Sequence, residues 1–380
     1  MNENASEQIT KDHTLLKRVC SEHLRRTPVR IDPMLAGLGT RRFHRLFFEN
    51  PEANAPATLI ARFEAPPAPA VSPDSPEEPP SWLPEPPLEP LRSFLGEHGI
   101  PVPTSSLHDP THGLDLLEDV GDRTLGHLSE TERQTWTREA CALLPKLQSL
   151  GRETPGGAEV EAFHRPYDRR LVTSKAWKWL HWTIPLLLGR PASADETRET
   201  HALFDHIASL TVDTPLRLAH RDFKAENLHL MSADSRERLV WIDVQGAFMA
   251  PPEYDLVCIL YDLQVDHDER FAQSVFAETV AALPDPPPID LSEERFDALA
   301  IARVCKDVAH VVQAGRVRND ARRWHEIPRG LELIERAVAR RAHSFPGARA
   351  LSCVIEALTE ALKSADSPVG DRAVGEQSAR

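Results

Sequence analysis

A carboxylate, an amide and a second carboxylate stand at Asp222, Asn227 and Asp243. The first two share the run His220-Arg221-Asp222-Phe223-Lys224-Ala225-Glu226-Asn227. Side chains of these types at this spacing suit the transfer of a phosphoryl group. A carboxylate within hydrogen-bond reach of an acceptor hydroxyl aims its oxygen and takes its proton, the role expected of Asp222. The transfer spreads negative charge over phosphate oxygens, which Mg²⁺ neutralises. Mg²⁺ takes few protein oxygens and keeps its waters and phosphates, so Asn227 and Asp243 are the expected metal ligands. Leu239-Val240-Trp241-Ile242, behind the polar turn Ser232-Ala233-Asp234-Ser235, reads as the buried strand that delivers Asp243. His220 reads as a scaffold histidine. A His-Arg-Asp tripeptide is common by chance, but one followed by Asn, a strand and Asp at these distances is much rarer.

The order His-Arg-Asp, four residues, Asn and a later Asp resembles the catalytic segment of protein kinases. There a lysine two residues after the base reaches the transferred phosphate, and the resemblance gives Lys224 that role. Asp243-Val244-Gln245-Gly246 stands where a protein kinase has D-F-G. Ala250-Pro251-Pro252-Glu253 follows too soon to leave room for an activation loop. A small hydroxylated acceptor is therefore expected, and no protein partner is implied.

Through His220-Arg221-Asp222, Asn227, Trp241-Ile242-Asp243-Val244-Gln245 and Pro252-Glu253-Tyr254-Asp255-Leu256, the chain resembles the aminoglycoside phosphotransferase family. Within it, the chain looks most like bacterial cell-wall amino-sugar kinases, which phosphorylate N-acetylmuramate and N-acetylglucosamine at the anomeric position. Arg41-Arg42-Phe43-His44-Arg45, Leu116-Leu117-Glu118-Asp119-Val120-Gly121-Asp122, Pro166-Tyr167-Asp168, Arg303-Val304-Cys305-Lys306 and Ile327-Pro328-Arg329 carry this narrower likeness. It departs from that group at Gly246, where Asp is usual, and at Lys224-Ala225-Glu226, where His-Ser-Arg is usual. It departs again in the basic, Trp-rich helix after Asp168.

The resemblance implies an α+β, protein-kinase-like fold of two lobes, a small antiparallel-sheet N-lobe and a larger, mainly helical C-lobe. It implies ATP and Mg²⁺ as cofactors, and a cell-wall recycling role for a sugar acceptor. Arg303 and Lys306, one helical turn apart, would meet an anionic acceptor or form a solvated basic patch; Gln245 is grouped with them. Kinases of another small alcohol, such as an aminoglycoside, remain an alternative. So does a nucleotide-binding pseudokinase scaffold.

Several elements must position these groups. Residues 8–27 read as a helix that Pro28 and Pro33 end. Residues 35–48 and 57–64 read as two strands. Gly37, Gly39 and Thr40 open the first of them, either as a phosphate loop or as an ordinary turn. Kinases place a lysine on the third strand over the phosphates. Here Arg62 stands on that strand, as that cation or as a solvated residue, with Arg41, Arg42 and Arg45 as competitors. Residues 65–90 are proline-rich and read as an extended insertion. Leu88–Glu97 reads as a helix, with Glu89 either a partner of the cation or a surface acid. Leu116, Leu117 and Glu118 are expected to present main chain to adenine.

The division along the chain is then an N-lobe over 1–115, a linker over 116–122, a helical C-lobe over 123–364 and a disordered tail over 365–380. C-lobe helices are expected near 168–188, 197–210, 268–283, 292–315, 319–343 and 347–363. Trp177, Trp179 and Trp182 share one of them, as core or as a sugar platform. Asp255 is expected to cap an apolar helix.

The net charge of −14 argues against nonspecific nucleic-acid binding. No run has the length and apolarity of a membrane helix, and Met1-Asn2-Glu3-Asn4-Ala5 has no signal pattern, so a cytoplasmic protein is expected. Five scattered cysteines without C-x-x-C spacing read as reduced thiols. The 17 histidines show no metal-ligand spacing.

Overall fold

The computed structural model describes residues 3–34, 41–49, 55–64, 86–233 and 236–364. Gly37, Gly39 and Thr40, most of the proline-rich insertion and the 365–380 tail lie outside the described residues.

In chain order the elements begin α1 (Glu3–Leu24), β1 (Arg30–Pro33), β2 (Arg42–Phe47), β3 (Thr58–Phe63), α2 (Leu91–Glu97), β4 (Ser105–Asp109) and β5 (Leu114–Glu118). Then come α3 (Glu130–Ala142), α4 (Leu144–Gln148), α5 (Arg169–Lys178), α6 (Ile184–Leu188), α7 (Ala194–Thr211), β6 (Arg217–Ala219), β7 (Leu228–Ala233), β8 (Arg236–Trp241) and β9 (Phe248–Ala250). The helices α8 (Tyr254–Leu260), α9 (Glu269–Ala282), α10 (Ile289–Val317), α11 (Ile327–Arg341) and α12 (Ala348–Ser364) complete the chain.

Contacts divide these elements into two units. The first joins the N-terminal residues to Pro86–Leu125 and to Asn227–Gln245. The second joins Gly126–Glu226 to the chain from Gly246 onward. An antiparallel-sheet unit and a mainly helical unit make up the α+β fold class expected from the sequence, with residues 227–245 grouped in the sheet unit.

In the first unit five antiparallel strands run in the order β1-β2-β3-β5-β4. Leu16, Val19 and Cys20 of α1 pack against Ile31, Leu46, Leu59, Ala61, Phe63, Leu114 and Leu116. Burying such aliphatic side chains contributes about 1.5–3 kcal/mol each and is what holds α1 to the sheet. Asp12 of α1 adds a polar clamp, accepting from Arg42 at 2.8 Å and His44 at 3.1 Å. β1 was not legible in the sequence because Pro33 argues against a strand. It is an edge strand, with Pro33 opposite His44, where a missing N–H is tolerated.

Also in this unit, β7 and β8 form a hairpin, from Leu228 opposite Trp241 to Ala233 opposite Arg236. Trp241 is fully buried, and its backbone N–H donates to the Pro101 carbonyl at 2.6 Å.

The second unit is built on α10, the longest helix, against which α5, α7, α8 and α11 pack. Gly330 of α11 lets that helix approach Val308 of α10 so closely that a Cβ there would lie 2.3 Å from a Val308 methyl. The helix expected over 319–343 starts only at Ile327. Asn319 adopts φ +54, the left-handed conformation that ends α10, and a short turn at Trp324–Glu326 leads into α11. β6 and β9 form a two-stranded ribbon, with Ala219 opposite Phe248.

Candidate active site

The residues expected to do the chemistry fall into two sets, one in each unit.

In the helical unit, β6 runs straight into His220-Arg221-Asp222. Arg221 has φ +81, a conformation that costs a non-glycine residue roughly 1–3 kcal/mol and persists only where the surroundings impose it. The imposing group is Asp255, in the first turn of α8. Its carboxylate accepts the N–H of His220 at 2.7 Å and that of Arg221 at 3.0 Å. The Arg221 carbonyl is held as well, by the Arg303 guanidinium at 3.0 Å and the Cys258 thiol at 3.2 Å. Asp255 was read as a helix cap; it braces the loop that presents Asp222. Burial pushes its carboxyl pKa up, against the opposing pull of the His220 charge and the two N–H donors. Asp262 repeats the device further on, accepting from the N–H of Ala225 at 2.8 Å and of Gln264 at 3.0 Å. No signal in the sequence marked Asp262.

Asp222 keeps 28% of its side chain exposed, enough to meet an acceptor. Arg303, on α10, lies 3.4 Å from its carboxylate. Burial alone would raise the Asp222 pKa; the positive charges of Arg303, Arg221, Lys306 and Lys224 overcome it and hold the carboxyl well below its usual range. Asp222 is therefore an ionised carboxylate at any physiological pH.

Arg303 is itself buried, and its other contacts are the Tyr254 hydroxyl at 3.3 Å and Asp307 at 3.4 Å. Its bond to the Arg221 carbonyl and its pairing with Asp222 orient the loop. Lys306, half-buried, pairs with Asp307 at 2.6 Å. Lys224 forms an ion pair with Glu226. Burial lowers the Lys224 pKa, but the Glu226 and Asp222 charges raise it on balance, so the ammonium stays charged. Trp179 is fully buried, a core residue, whereas Trp177 and Trp182 are half-buried and meet edge to face at 5.7 Å.

In the sheet unit, Asn227 and Asp243 follow from the hairpin register. Leu228 pairs with Trp241, and one step beyond that pair the Ile242 N–H donates to the Asn227 carbonyl at 2.9 Å. The two residues thus flank the open end of the ribbon. Asp243 has φ +61, a second strained non-glycine residue, and 41% of its side chain is exposed. Its Oδ1 accepts from the amide of buried Gln245 at 2.5 Å and from Arg41 at 3.3 Å. One exposed carboxylate and one amide, both hard oxygen donors, fit Mg²⁺, which needs few protein ligands. Among the described residues no cluster of three or more His, Cys, Asp or Glu could hold a metal by itself.

Arg62 lies elsewhere in this sheet. It sits opposite Asp115 in the β3–β5 register and is only 3% exposed. Its guanidinium reaches Asp115 at 2.7 Å and Glu64 at 2.7 Å. Glu89, the other residue weighed as its partner, accepts from Arg92 and from the N–H of Ser93.

The main chain of Leu116 and Leu117, expected to meet adenine, belongs to β5, which has β3 on one side and β4 on the other. The ladders engage its donors and acceptors, and the Glu118 N–H donates to the Thr104 carbonyl at 2.8 Å. That segment was read as the linker between lobes; its interior position in the sheet was not visible in the sequence.

The described cysteines are all free thiols, four of them buried and Cys353 exposed. No described helix is long and apolar enough to cross a membrane.

Comparison with known proteins agrees with the fold. The description "Phosphotransferase enzyme family" matches residues 86–291. An N-acetylmuramate/N-acetylglucosamine kinase of Neisseria meningitidis is 27% identical over 256 residues, covering 64% of this chain and 73% of that protein. One of the same name from Pseudomonas aeruginosa is 23% identical over 268 residues, covering 67% and 76%. Among solved structures, a choline kinase from Streptococcus pneumoniae superposes with a TM-score of 0.54 at 16% identity, covering 90% of this chain and 99% of that one. A GDP complex of an aminoglycoside 2'-phosphotransferase gives 0.53 at 14% identity, covering 88% and 98%.

Proposed function

Because the chain belongs to the phosphotransferase enzyme family, we propose that it transfers the γ-phosphoryl group of ATP to a hydroxyl of an amino sugar or related cell-wall sugar. The observation that carries this reading is Asp222: a partly exposed carboxylate, kept ionised by four cations, on a loop strained into place by Asp255. The sugar acceptor is supported by the two relatives named N-acetylmuramate/N-acetylglucosamine kinase.

Asp222 aligns the acceptor hydroxyl through a charge-assisted hydrogen bond. Its low basicity suits late proton transfer. As the acceptor oxygen bonds to phosphorus and ADP leaves with the bridging oxygen, the O–H bond breaks and its proton passes to the Asp222 carboxylate. Lys224 and Lys306 supply fixed positive charge for the phosphoryl group and the acceptor, with Arg303 holding Asp222 in register. Asn227 and Asp243 would hold Mg²⁺, which when bound neutralises the triphosphate oxygens.

The test is ADP release with N-acetylmuramate, N-acetylglucosamine, aminoglycosides and amino alcohols as acceptors. Turnover with a sugar that Asp222→Asn abolishes supports the reading. Turnover only with an aminoglycoside or another alcohol moves the acceptor class. A nucleotide-binding scaffold is a second reading, motivated by Arg62 being engaged by two carboxylates and by Arg41 pairing with Asp243. Nucleotide binding with no turnover across the panel would establish it.

A further inference from the structure

We propose that Arg41 is the cation that receives the triphosphate, exchanging the Asp243 carboxylate for phosphate oxygens when the nucleotide binds. The inference rests on the reading of the protein as a nucleotide-dependent phosphotransferase.

The arginines of β2, its N-terminal flank and β3 divide sharply by the acids they meet. Arg62 is buried between Asp115 and Glu64, two carboxylates against one guanidinium. Withdrawing it would leave Asp115, itself only 2% exposed, beside a half-buried Glu64 with their cation removed. Arg42 clamps Asp12 of α1 through two hydrogen bonds at 2.8 and 3.1 Å. Arg45 bridges Asp119 at 2.9 Å and Asp122 at 2.7 Å. Each of these pairs fastens one part of the fold to another.

Arg41 differs in the kind of acid it meets. The carboxylate it reaches, at 3.3 Å, is Asp243, which is exposed, strained in its backbone and placed with Asn227 at the open end of the hairpin. A metal ion bound by Asp243 competes with Arg41 for the carboxylate and repels the guanidinium by its charge, which weakens the ion pair. The guanidinium lies beside a site whose metal would also be bound by phosphate oxygens. Arginine presents a planar fork of donors that suits two phosphate oxygens at once. The same contact offsets the charge of Asp243, which would otherwise repel an incoming triphosphate. Arg41 thus supplies, from the flank of β2, the charge that other kinase-like folds take from the third strand.

The experiment measures the affinity of the full chain for ATP, ADP and adenosine by calorimetry, with and without Mg²⁺. The variants are Arg41→Met, Arg41→Lys and Asp243→Asn. Arg41→Met is expected to weaken Mg–ATP binding by roughly tenfold to a hundredfold, the loss that follows from removing hydrogen bonds to a charged partner, with adenosine affinity unchanged. Arg41→Lys recovers part of it. Asp243→Asn removes the carboxylate charge that competes with phosphate for Arg41, so metal-free ATP binds more tightly than to the wild type. That gain disappears when Arg41→Met is added.

Mg–ATP affinity of Arg41→Met within about twofold of wild type, with adenosine binding intact, overturns the assignment and leaves the phosphotransferase reading standing. A wild-type chain that binds neither ATP nor ADP overturns both. If Arg41→Met fails to fold, Arg41→Lys decides: it keeps the charge but loses the fork, and unchanged affinity for Mg–ATP counts against the proposal.

Discussion

Asp255→Asn isolates the brace beneath the catalytic loop. The Asp255 carboxylate accepts two backbone N–H groups, from His220 at 2.7 Å and Arg221 at 3.0 Å, and lies fully inside the helical unit. An amide retains one acceptor oxygen and turns an NH₂ toward the other donor, so one buried N–H loses its partner. An unsatisfied buried donor costs about 1–3 kcal/mol. Arg221 can then relax from φ +81, returning roughly 1–3 kcal/mol of backbone strain. The two effects oppose each other, so the melting temperature should fall by only a few degrees.

Catalysis should not be spared in the same way. Asp222 is the next residue in the chain, and a displacement of about 1 Å in a reacting group can cost on the order of a hundredfold in rate. The expected pattern is therefore kcat down roughly a hundredfold, ATP affinity unchanged and stability nearly unchanged. Steady-state ADP release, nucleotide titration and a thermal melt of the same preparation separate these three quantities. A variant that keeps kcat within about twofold of wild type would refute the argument that strain at Arg221 positions Asp222. Asp255→Ala is the harsher control: with both donors orphaned it should lose about 2–6 kcal/mol, a large share of a typical domain's stability.

Other outcomes follow from the same geometry. Asp222→Asn should lower kcat by about 10²–10⁴-fold while nucleotide still binds, measured by ADP release and calorimetry. Because the folded Asp222 pKa is depressed, its contribution to stability is complete above the unfolded value near 3.8 and is lost only as pH falls toward the lower folded one. Asp222 should accordingly produce no acid limb in kcat/KM between pH 5 and 8, and Arg303→Met should shift its protonation upward; a wild-type acid limb in that range that Arg303→Met moves to lower pH would contradict the assigned electrostatics. Asp115→Asn leaves Arg62 with one fewer buried carboxylate and should destabilise by about 3 kcal/mol in urea unfolding, with ATP affinity unaffected. Gly330→Ala forces a methyl against Val308 where the α10–α11 approach leaves no room, and should cost about 1–3 kcal/mol.

Much of this was legible in the residues. The strand before Asp243 announced itself as a short apolar run behind a polar turn, and it is β8; the run at 220–227 stood out because its side chains are chemically unusual together. The helices expected near 197–210 and 268–283 were readable from the helical pattern and lie at Ala194–Thr211 and Glu269–Ala282; the Ser193–Glu196 capping box that starts the first of them went unread. What failed to show depends on partners distant in sequence. Arg62 could not be told from a phosphate-binding cation until the β3–β5 register set it against Asp115. Arg303 looked like a substrate contact because Arg303 and Lys306 share a helix face; burial and the bond to the Arg221 carbonyl give it a structural task. Asp255 sits where a helix-capping acid is ordinary, and only the folded chain reveals that its hydrogen bonds run back across 34 and 35 residues.

The hairpin β7–β8 has a consequence for how the molecule is made. Its strands belong by contact to the sheet unit, yet they are translated long after the rest of that unit. Until they emerge, the Arg123 and Pro101 carbonyls lack the N–H groups of Leu230 and Trp241, and the indole of Trp241 has yet to enter the interior. A nascent or recombinant fragment ending at Leu125 would therefore be an unfinished folding unit, prone to association through its unsatisfied surface. Anyone dividing this gene for complementation would do better to cut elsewhere, or to fuse residues 227–245 back onto the amino-terminal piece.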